Sequence, residues 1–369
     1  MRKFVLKELT NVNVEAELEK IGFDIAYRAK ASDKYRYKTF KIFDLTIPQA
    51  NILKQTALSF GADCGVHKDI LTANIEKTDV ILGGSYSQLK KVCERLKQQP
   101  FSMKILAENL VAQLDLQERK TKLVGILNIT PDSFSDGGMY FEVDNARKQL
   151  FQLIEDGADV IDIGAESTRP GAEQIDAKIQ IERLRHVLKN LPEIPISVDT
   201  RSSEVAMFAL DNGVQIINDV SGMDFDLKIA DVVKNYGASL VIQHSTGDAG
   251  NIISYNDVVE DVYMKLLKKS QIALEKGLKN LILDVGIGFG KSREDNFQIL
   301  NRIEEFYSLN YPLMVGISRK SFLGLSQSKE NDLKDTLSLA ISYPLMLKNI
   351  DYLRVHNVKI HKQLLDLAI

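Results

Sequence analysis

The sequence has no tryptophan and only two cysteines, Cys64 and Cys93, in 369 residues. Two cysteines so far apart provide neither a zinc-binding cluster nor a redox pair of the CxxC type. We expect both to be reduced thiols buried in a core. His67 lies close to Cys64 in the sequence, and we interpret that proximity as incidental.

The sequence also has no strong excess of charge and no long apolar run. Its 47 lysines and arginines against 50 aspartates and glutamates give a net charge of −3. A nucleic-acid partner would need a basic face, so we expect none. The N-terminus lacks the apolar stretch of a signal peptide, and no run of about 18 apolar residues could span a membrane. We therefore expect no membrane contact and a cytoplasmic location.

What the chain does have is length and a globular composition. Hydrophobic residues make up 44% and charged residues 26% of the sequence, as in soluble proteins with a large core. The length exceeds one ordinary domain. The pattern changes at a polar stretch, residues 113–122. We therefore predict a small N-terminal domain of unknown role at residues 1–115 and a larger domain at 120–369.

Short apolar runs alternate with longer amphipathic segments throughout the second domain. Eight runs have the length and β-branched content of buried parallel strands: residues 123–127, 160–163, 196–198, 215–217, 239–242, 281–283, 313–315 and 352–355. Segments 145–155, 202–210 and 258–275 show helical spacing. Eight such units over about 250 residues predict an α/β fold, a (β/α)8 TIM barrel. The alternative, a doubly wound open sheet, usually has a GxGxxG turn at a strand end, and none occurs here.

The N-terminal domain shows a weaker pattern. Residues 40–46, 80–82 and 5–6 are candidate strands, and residues 48–58, 85–97 and 103–114 are candidate helices. We predict a small α/β domain and see no catalytic constellation in it.

Polar residues collect after the predicted barrel strands, where such barrels carry their active sites. They are Asn128, Thr130, Asp162, Glu166, Thr168, Arg169, Asp199, Asn218, Asp219, Asp284, Ser318, Arg319, Lys320, Arg354 and His356. Arg354 and His356 are two apart on one strand and so share a face, where they could grip a phosphate. The alternative is an ion pair of Arg354 with Asp351 or with a carboxylate inside the barrel.

Asp199, Asn218 and Asp284 form a second set at three strand ends. Carboxylate and amide groups suit a heteroaromatic ring with alternating donors and acceptors, although each residue alone could equally cap a loop. Glycine-rich stretches at 136–138 and 286–291 would let a ligand approach the backbone closely. The residues alone thus predict a barrel enzyme that acts on a small polar, phosphorylated ligand.

The strings at these positions resemble the signatures of the dihydropteroate synthases. GILNITPDSFSDGG at 125–138 and GADVIDIGAESTRPG at 157–171 are similar to the first two family signatures. SVDT at 197–200, INDVSG at 217–222, GIGFGK at 286–291, GISRKSFLG at 316–324 and RVH at 354–356 follow in family order. The resemblance spans residues 120–369 and leaves the first hundred residues uncovered.

The resemblance implies condensation of 6-hydroxymethyl-7,8-dihydropterin pyrophosphate with p-aminobenzoate in folate biosynthesis, with Mg²⁺ as cofactor. It also implies competition by sulfonamides and a homodimer. The implied catalytic residues are Asp199, Lys320, Arg354 and His356. The implied pterin-binding residues are Asp199, Asn218, Asp284 and Lys320. Pyrophosphate would be bound by Asn128, Arg169, Arg354 and His356, with Asn128 as the Mg²⁺ ligand. The p-aminobenzoate pocket would be formed by Thr168, Pro170, Phe134, Phe289 and Ser321.

The sequence departs from the family pattern at four positions. Val285 replaces a proline after the pterin-binding aspartate, and Ala165 replaces a second glycine before Glu166. Gln243 and Ser245 stand where methionines are common. None of these departures removes a charged residue of the implied site, so we expect changed loop stiffness or pocket shape and retained activity.

Three other readings stay open at this point. A methyltetrahydrofolate-dependent corrinoid methyltransferase shares the barrel and the Asp/Asn/Asp set, but has no need of Arg354, His356 and Lys320. A non-catalytic pterin-binding paralogue would be expected to lose such residues. The N-terminal domain alone could be an interaction or regulatory module.

Overall fold

The computed structural model describes residues 6–10, 13–72, 74–115, 119–129, 139–166, 175–246, 251–324 and 331–368. The chain divides into two compact units, Met1–Gln117 and Glu118–Ile369. In the part of the chain that is described, no helix combines the length and the apolar character needed to cross a membrane.

The first unit is a small three-stranded antiparallel sheet with helices. Strands β1 and β3 pair along their length, and β2 adds to the other edge of β3, giving the order β1-β3-β2. The elements in chain order are α1 Val14–Lys20, α2 Arg28–Ser32, β1 Tyr37–Thr46, α3 Ile47–Ser59, β2 Asp63–Gly65, β3 Lys77–Ser85, α4 Tyr86–Leu96 and α5 Met103–Leu114.

Local sequence explains where the main helices of this unit begin. Thr46 with Gln49 and Ser85 with Gln88 form capping boxes at the starts of α3 and α4, which satisfy backbone N–H groups that the helices leave unpaired. The apolar faces of α3, α4 and α5 pack with β3 into one core, which includes the fully buried Leu82.

The small α/β domain predicted from sequence is present, with differences in detail. The predicted strands 40–46 and 80–82 lie within β1 and β3, and the three predicted helices match α3, α4 and α5 within about two residues. The candidate strand at 5–6 is wrong at Leu6, which lies in no strand, while Val5 is outside the described residues. Strand β2 was not predicted, because three residues with the sequence DCG show no periodicity.

The second unit is a closed barrel of eight parallel strands, as predicted, and not an open sheet. Each predicted run corresponds to one strand, in the order β10-β11-β4-β5-β6-β7-β8-β9 around the barrel. The strands are β4 Lys122–Asn128, β5 Val160–Gly164, β6 Ile196–Asp199, β7 Ile216–Asp219, β8 Ser239–Gln243, β9 Leu281–Asp284, β10 Leu313–Gly316 and β11 Tyr352–Val355. The surrounding helices are α6 Met139–Glu155, α7 Ala177–Val187, α8 Ser203–Asp211, α9 Lys228–Tyr236, α10 Val258–Glu275, α11 Arg293–Asn301, α12 Asn331–Leu347 and α13 Val358–Ala368.

Two apolar layers hold the barrel together. The larger layer lies between the strands and the helices and includes Ile161, Val198 and Leu283. A smaller cluster of Val124, Val160, Val241, Ile282 and Met314 brings together residues of β4, β5, β8, β9 and β10, and apolar side chains of this kind fill a barrel interior. Filling the strand midsections with apolar side chains leaves the strand ends as the place for polar chemistry.

Candidate active site

The strand register brings the predicted site residues to one end of the barrel. Asn128 is paired with Gly164, and Gly164 with Asp199, across β4, β5 and β6. Asp199 is in turn paired with Asn218 on β7. Asp284 is the last residue of β9 and is paired with Gln243 of β8. These residues all lie at the carboxyl ends of their strands, so the polar groups that the sequence scatters over 150 residues meet at one rim.

Arg354 lies between two carboxylates at this rim. Its Nε donates to Asp162 Oδ2 at 2.6 Å, and its Nη2 donates to Asp199 Oδ2 at 3.0 Å. Asp351 pairs with Arg119 instead. The ion-pair alternative considered for Arg354 is therefore realised with carboxylates inside the barrel and not with Asp351.

Asp162 links the arginine to the amide of the neighbouring set. Its Oδ2 also accepts a hydrogen bond from Asn218 Nδ2 at 3.0 Å, and its side chain is 1% exposed. The sequence identifies Asp162 only as a polar residue within a strand and does not predict its role. The sequence signal for such a role is the position of Asp162 in the middle of the apolar string VIDIG. An aspartate buried in a strand needs hydrogen-bond or charged partners, so this position indicates a polar network.

Several buried acceptors at this rim have no hydrogen-bond partner among the described residues. They are Asp162 Oδ1, Asn218 Oδ1 and Ser197 Oγ. Ser197 lies two residues before Asp199 on β6. Buried polar atoms in native proteins are normally satisfied, and exceptions cluster where a ligand or water binds. Two unsatisfied acceptors beside a guanidinium therefore favour a polar ligand with N–H donors.

Burial shifts the pKa values of the two acids in this set. Loss of hydration raises the pKa of Asp199 to about 7, although the nearby Arg354 opposes the shift. Burial likewise raises the pKa of Asp284, against the effect of Lys320. The Asp199 carboxyl group can thus change between the protonated and ionised states near neutral pH, which suits binding to a ring that itself gains and loses charge.

Lys320 and Phe289 meet beside Asp284. Lys320 Nζ donates to the carbonyl oxygen of Ile287 at 2.5 Å and lies 4.8 Å from the centre of the Phe289 ring. Burial lowers the pKa of Lys320 to about 8, with Asp284 acting in the opposite direction. The ammonium group is thus held over the loop that follows β9, next to the aromatic residue predicted to line the p-aminobenzoate pocket.

The loop after β9 is itself fixed by a buried lysine. Lys291 Nζ contacts His244 Nδ1 at 2.9 Å and donates to the carbonyl oxygens of Gly286 at 2.8 Å and Phe289 at 3.0 Å. Gly286 has a φ of 64°, and a Cβ there would overlap the backbone of His244. Burial lowers the pKa of His244 to about 2, so its ring is neutral.

The family departures fall on packed positions near this rim. Val285, which directly follows Asp284, is fully buried. Gln243 Nε2 donates to Val220 O at 3.2 Å, which joins the end of β8 to the loop after β7. Ala165 is buried, and its carbonyl accepts from Arg183 at 2.7 Å.

Two of the remaining predicted site residues, His356 and Ser321, lie within the described part of the chain. His356 follows β11 and its Nδ1 lies 3.0 Å from Ser318 Oγ, while Ser321 is exposed at the start of a short 3₁₀ turn after β10. The other predicted site residues, Phe134, Thr168, Arg169 and Pro170, lie outside the described residues.

The surroundings of Asn128 are compatible with its predicted role as a magnesium ligand. It is half-buried at the end of β4, and Gly164 opposite it has no side chain to cover the Asn128 Oδ1. A carboxamide oxygen is a suitable hard ligand, and Mg²⁺ commonly binds through one or two protein oxygens together with substrate phosphates. The described residues contain no cluster of three or more His, Cys, Asp or Glu side chains that could hold a metal alone. The residue therefore fits an ion that is shared with a phosphorylated ligand.

Comparison with known proteins identifies the family. Residues 124–356 match the model of the pterin binding enzymes. Dihydropteroate synthase of Bacillus subtilis is 39% identical over 66% of this chain and 85% of that protein. Bifunctional dihydropteroate synthase/dihydropteroate reductase of Helicobacter pylori is 31% identical over 98% of this chain and 97% of that protein. A probable bifunctional folylpolyglutamate synthase/dihydropteroate synthase of Haloferax volcanii is 33% identical over 84% of this chain, which spans only 40% of that longer protein.

Solved structures agree with this assignment. Xanthomonas albilineans dihydropteroate synthase with 4-aminobenzoic acid superposes with a TM-score of 0.63 at 35% identity, over 67% of this chain and 92% of that one. The Anaplasma phagocytophilum enzyme with 6-hydroxymethylpterin-monophosphate gives 0.62 at 35% identity, over 68% and 98%. The chain belongs to the dihydropteroate synthase family of pterin-binding enzymes.

Proposed function

We propose that the chain condenses 6-hydroxymethyl-7,8-dihydropterin pyrophosphate with p-aminobenzoate to give 7,8-dihydropteroate and pyrophosphate. The main observation behind this proposal is the group of polar residues that meet at the rim. Asp199, Asn218, Asp284 and Lys320 lie together with unsatisfied acceptors, and the cation Arg354 adjoins them. This arrangement suits a ring rich in donors that bears an anionic group.

In the proposed complex the pterin ring lies against Asn218 and the two aspartates. Asn218 Oδ1 and Asp162 Oδ1 would accept ring N–H groups, which would remove two unsatisfied buried atoms. Lys320 and Asp284 would contact the same ring from the β9 and β10 side. Arg354 would then exchange part of its pairing with Asp199 for the pyrophosphate oxygens.

The reaction breaks the C–O bond to pyrophosphate and forms a C–N bond to the arylamine. The bonding electrons leave with the pyrophosphate, and the arylamine nitrogen loses a proton to solvent. Mg²⁺ bound by Asn128 and the pyrophosphate would offset the negative charge of the leaving group. Arg354 would add to that effect because a fixed positive group stabilises a departing anion, and His356 would bind the same anion.

Asp199 is proposed to stabilise the positive charge that develops on the pterin ring as pyrophosphate leaves. Its ionised form would act by charge, without covalent bonding. The arylamine is neutral at pH 7, so the reaction needs no strong general base. Phe289 and Ser321, with the p-aminobenzoate-pocket residues predicted on the loops after β4 and β5, would hold the arylamine ring. Its nitrogen would then face the carbon that loses pyrophosphate.

The test is to incubate the full chain with both substrates and Mg²⁺ and to detect 7,8-dihydropteroate by chromatography. We expect product only when both substrates are present. Tight pterin binding without product would instead favour the non-catalytic paralogue. Methyl transfer from methyltetrahydrofolate to a corrinoid would favour the methyltransferase. The homodimer and the cytoplasmic location stay predictions.

We propose as a second function that the chain reduces 7,8-dihydropteroate to tetrahydropteroate. The support is the extent of two similarities. The Helicobacter pylori relative, named also for a dihydropteroate reductase, aligns over 98% of this chain, whereas the Bacillus subtilis synthase aligns over 66%. The additional similarity therefore includes the unit Met1–Gln117.

This reduction adds a hydride and a proton across one C=N bond of the dihydropterin ring. A reduced nicotinamide or a reduced flavin would have to supply the hydride. The full chain should convert dihydropteroate anaerobically with reduced nicotinamide, with or without added flavin. Lack of tetrahydropteroate under all of these conditions would contradict the second function and favour an interaction or regulatory role for the first unit.

A further inference from the structure

Asp335 is a buried carboxylate on α12, behind the loops that follow β10 and β11. It is 4% exposed. Its Oδ1 accepts from Arg319 Nε at 2.6 Å and its Oδ2 from Arg319 Nη2 at 2.8 Å, a bidentate pair. Asp335 Oδ2 also accepts from Asn357 Nδ2 at 3.2 Å. One side chain thus holds a residue of each loop.

The backbone of Arg319 is fixed to the same helix. Its φ of 58° lies in the left-handed region, which is unfavourable for a residue with a Cβ and persists where contacts impose it. The contact here is a hydrogen bond from Arg319 N to Ser338 Oγ at 3.0 Å. Arg319 therefore points away from the rim and towards α12, although its neighbour Lys320 reaches into the rim.

The two loops are joined a second time on the rim side. Ser318 Oγ accepts from His356 N at 3.2 Å and lies 3.0 Å from His356 Nδ1. Ser318 and Arg319 precede Lys320, and Asn357 follows His356. The distance between Lys320 and His356 is therefore determined by the Ser318 contact and by the Asp335 pair together.

We propose that Asp335 is a positioning residue that holds His356 in place at the rim and thereby sets the affinity of the rim for a pyrophosphate group. The inference rests on the proposed synthase function, since it assumes that His356 and its neighbours bind pyrophosphate. Burial alone would raise the pKa of Asp335, but the hydrogen bonds from Arg319 and Asn357 outweigh it and hold the pKa below its ordinary value. The carboxylate is therefore ionised at neutral pH.

The other end of the barrel offers a matched control. Asp351 pairs with Arg119, and its Oδ2 accepts from Leu313 N at 2.8 Å. Leu313 begins β10, and Asp351 directly precedes β11. Asp351 thus joins the amino ends of the same two strands whose carboxyl ends lead into the loops that Asp335 holds. Substituting either aspartate removes one partly buried carboxylate, and only one of them lies near the rim.

The experiment compares Asp335→Asn with Asp351→Asn in the full chain. Calorimetry gives the Kd for inorganic pyrophosphate with Mg²⁺ and, separately, the Kd for 6-hydroxymethylpterin, and thermal melts give the Tm. We expect Asp335→Asn to weaken pyrophosphate binding about tenfold, as for loss of one charge-assisted contact, and to change the pterin Kd by less than about twofold. Asp351→Asn should lower the Tm and leave both Kd values near those of the wild type.

Equal changes in the two Kd values of Asp335→Asn, or equal pyrophosphate affinities in the two variants, would overturn the inference and leave Asp335 a stabilising residue only. If Asp335→Asn does not fold, Arg319→Lys gives the same comparison, because a lysine cannot form the bidentate pair. Failure of the wild type to bind pyrophosphate would contradict the proposed function itself. The two failures are thus distinguished by the wild-type measurement.

Discussion

Replacing Asp162 by asparagine tests whether the rim acts as one connected network. The carboxylate accepts from Arg354 Nε at 2.6 Å and from Asn218 Nδ2 at 3.0 Å, both through Oδ2. An asparagine can keep its oxygen at that position and put its NH₂ group where Asp162 Oδ1 has no partner among the described residues. The shape is thus preserved, and two things change: one negative charge beside a buried guanidinium is lost, and so is the Oδ1 acceptor proposed for the pterin ring.

The size of the effect follows from these contacts. A hydrogen bond to a charged group contributes about 1.5–3 kcal/mol, against about 0.5–1.5 kcal/mol for a neutral one. Arg354 would keep only Asp199 as a charged partner and would lose its fixed orientation. A loss of about 1.5–3 kcal/mol in transition-state stabilisation corresponds to a kcat/KM lowered about 10- to 100-fold.

The assay is initial-rate pyrophosphate release with Mg²⁺ and p-aminobenzoate. Asp159→Asn serves as the control, because Asp159 lies at the other end of β5, where its Oδ2 accepts from Leu123 N at 2.8 Å. The control should stay within about threefold of the wild type, as expected for a change remote from the chemistry. A kcat/KM for Asp162→Asn that is also within threefold would refute the idea that Asp162 orients Arg354 for the reaction.

Three further predictions concern the same rim. Because burial raises the pKa of Asp199 to about 7, kcat/KM should rise with pH as this group ionises near pH 7. Asp199→Asn should abolish this pH dependence and should lower turnover more than pyrophosphate binding. Near-normal turnover in this variant would contradict the proposed role of Asp199 in stabilising charge on the pterin ring. Gly286→Ala should lower both the Tm and the activity, since its Cβ would overlap the carbonyl oxygen of His244 at a φ of 64°; a wild-type melt would refute this. Lys291→Met removes the Lys291 donor from the carbonyl oxygen of Phe289 and leaves that of Gly286 with Phe289 N as donor. The KM for p-aminobenzoate should therefore rise more than the KM for the pterin substrate; equal rises would show a general loss of structure.

The architecture of the second unit could be predicted from sequence because buried parallel strands appear as apolar runs. The observed strands extend the predicted runs by a residue or two at several carboxyl ends, to Asn128, Asp199 and Asp284. These added residues are polar because the chemistry lies there, so the apolar pattern ended before the strand did. In the first unit, by contrast, the three-residue strand β2 carries no pattern that marks it.

The membership of the rim was predictable, but its connections were not. Strand ends identify Arg354 and Asp199 separately, whereas the ion pairs of Arg354 with Asp199 and Asp162 depend on which side chains meet inside the closed barrel. Asp335 is harder still, since it lies on a helix and no motif contains it. The roles assigned to the rim residues and to Mg²⁺ stay predictions.

The most direct test of the central claim is the stoichiometry of pyrophosphate release from 6-hydroxymethyl-7,8-dihydropterin pyrophosphate with Mg²⁺, with and without p-aminobenzoate. We predict release that increases with p-aminobenzoate and matches dihydropteroate formation one for one. Folded protein that binds the pterin substrate and releases no pyrophosphate in the presence of p-aminobenzoate would contradict the account.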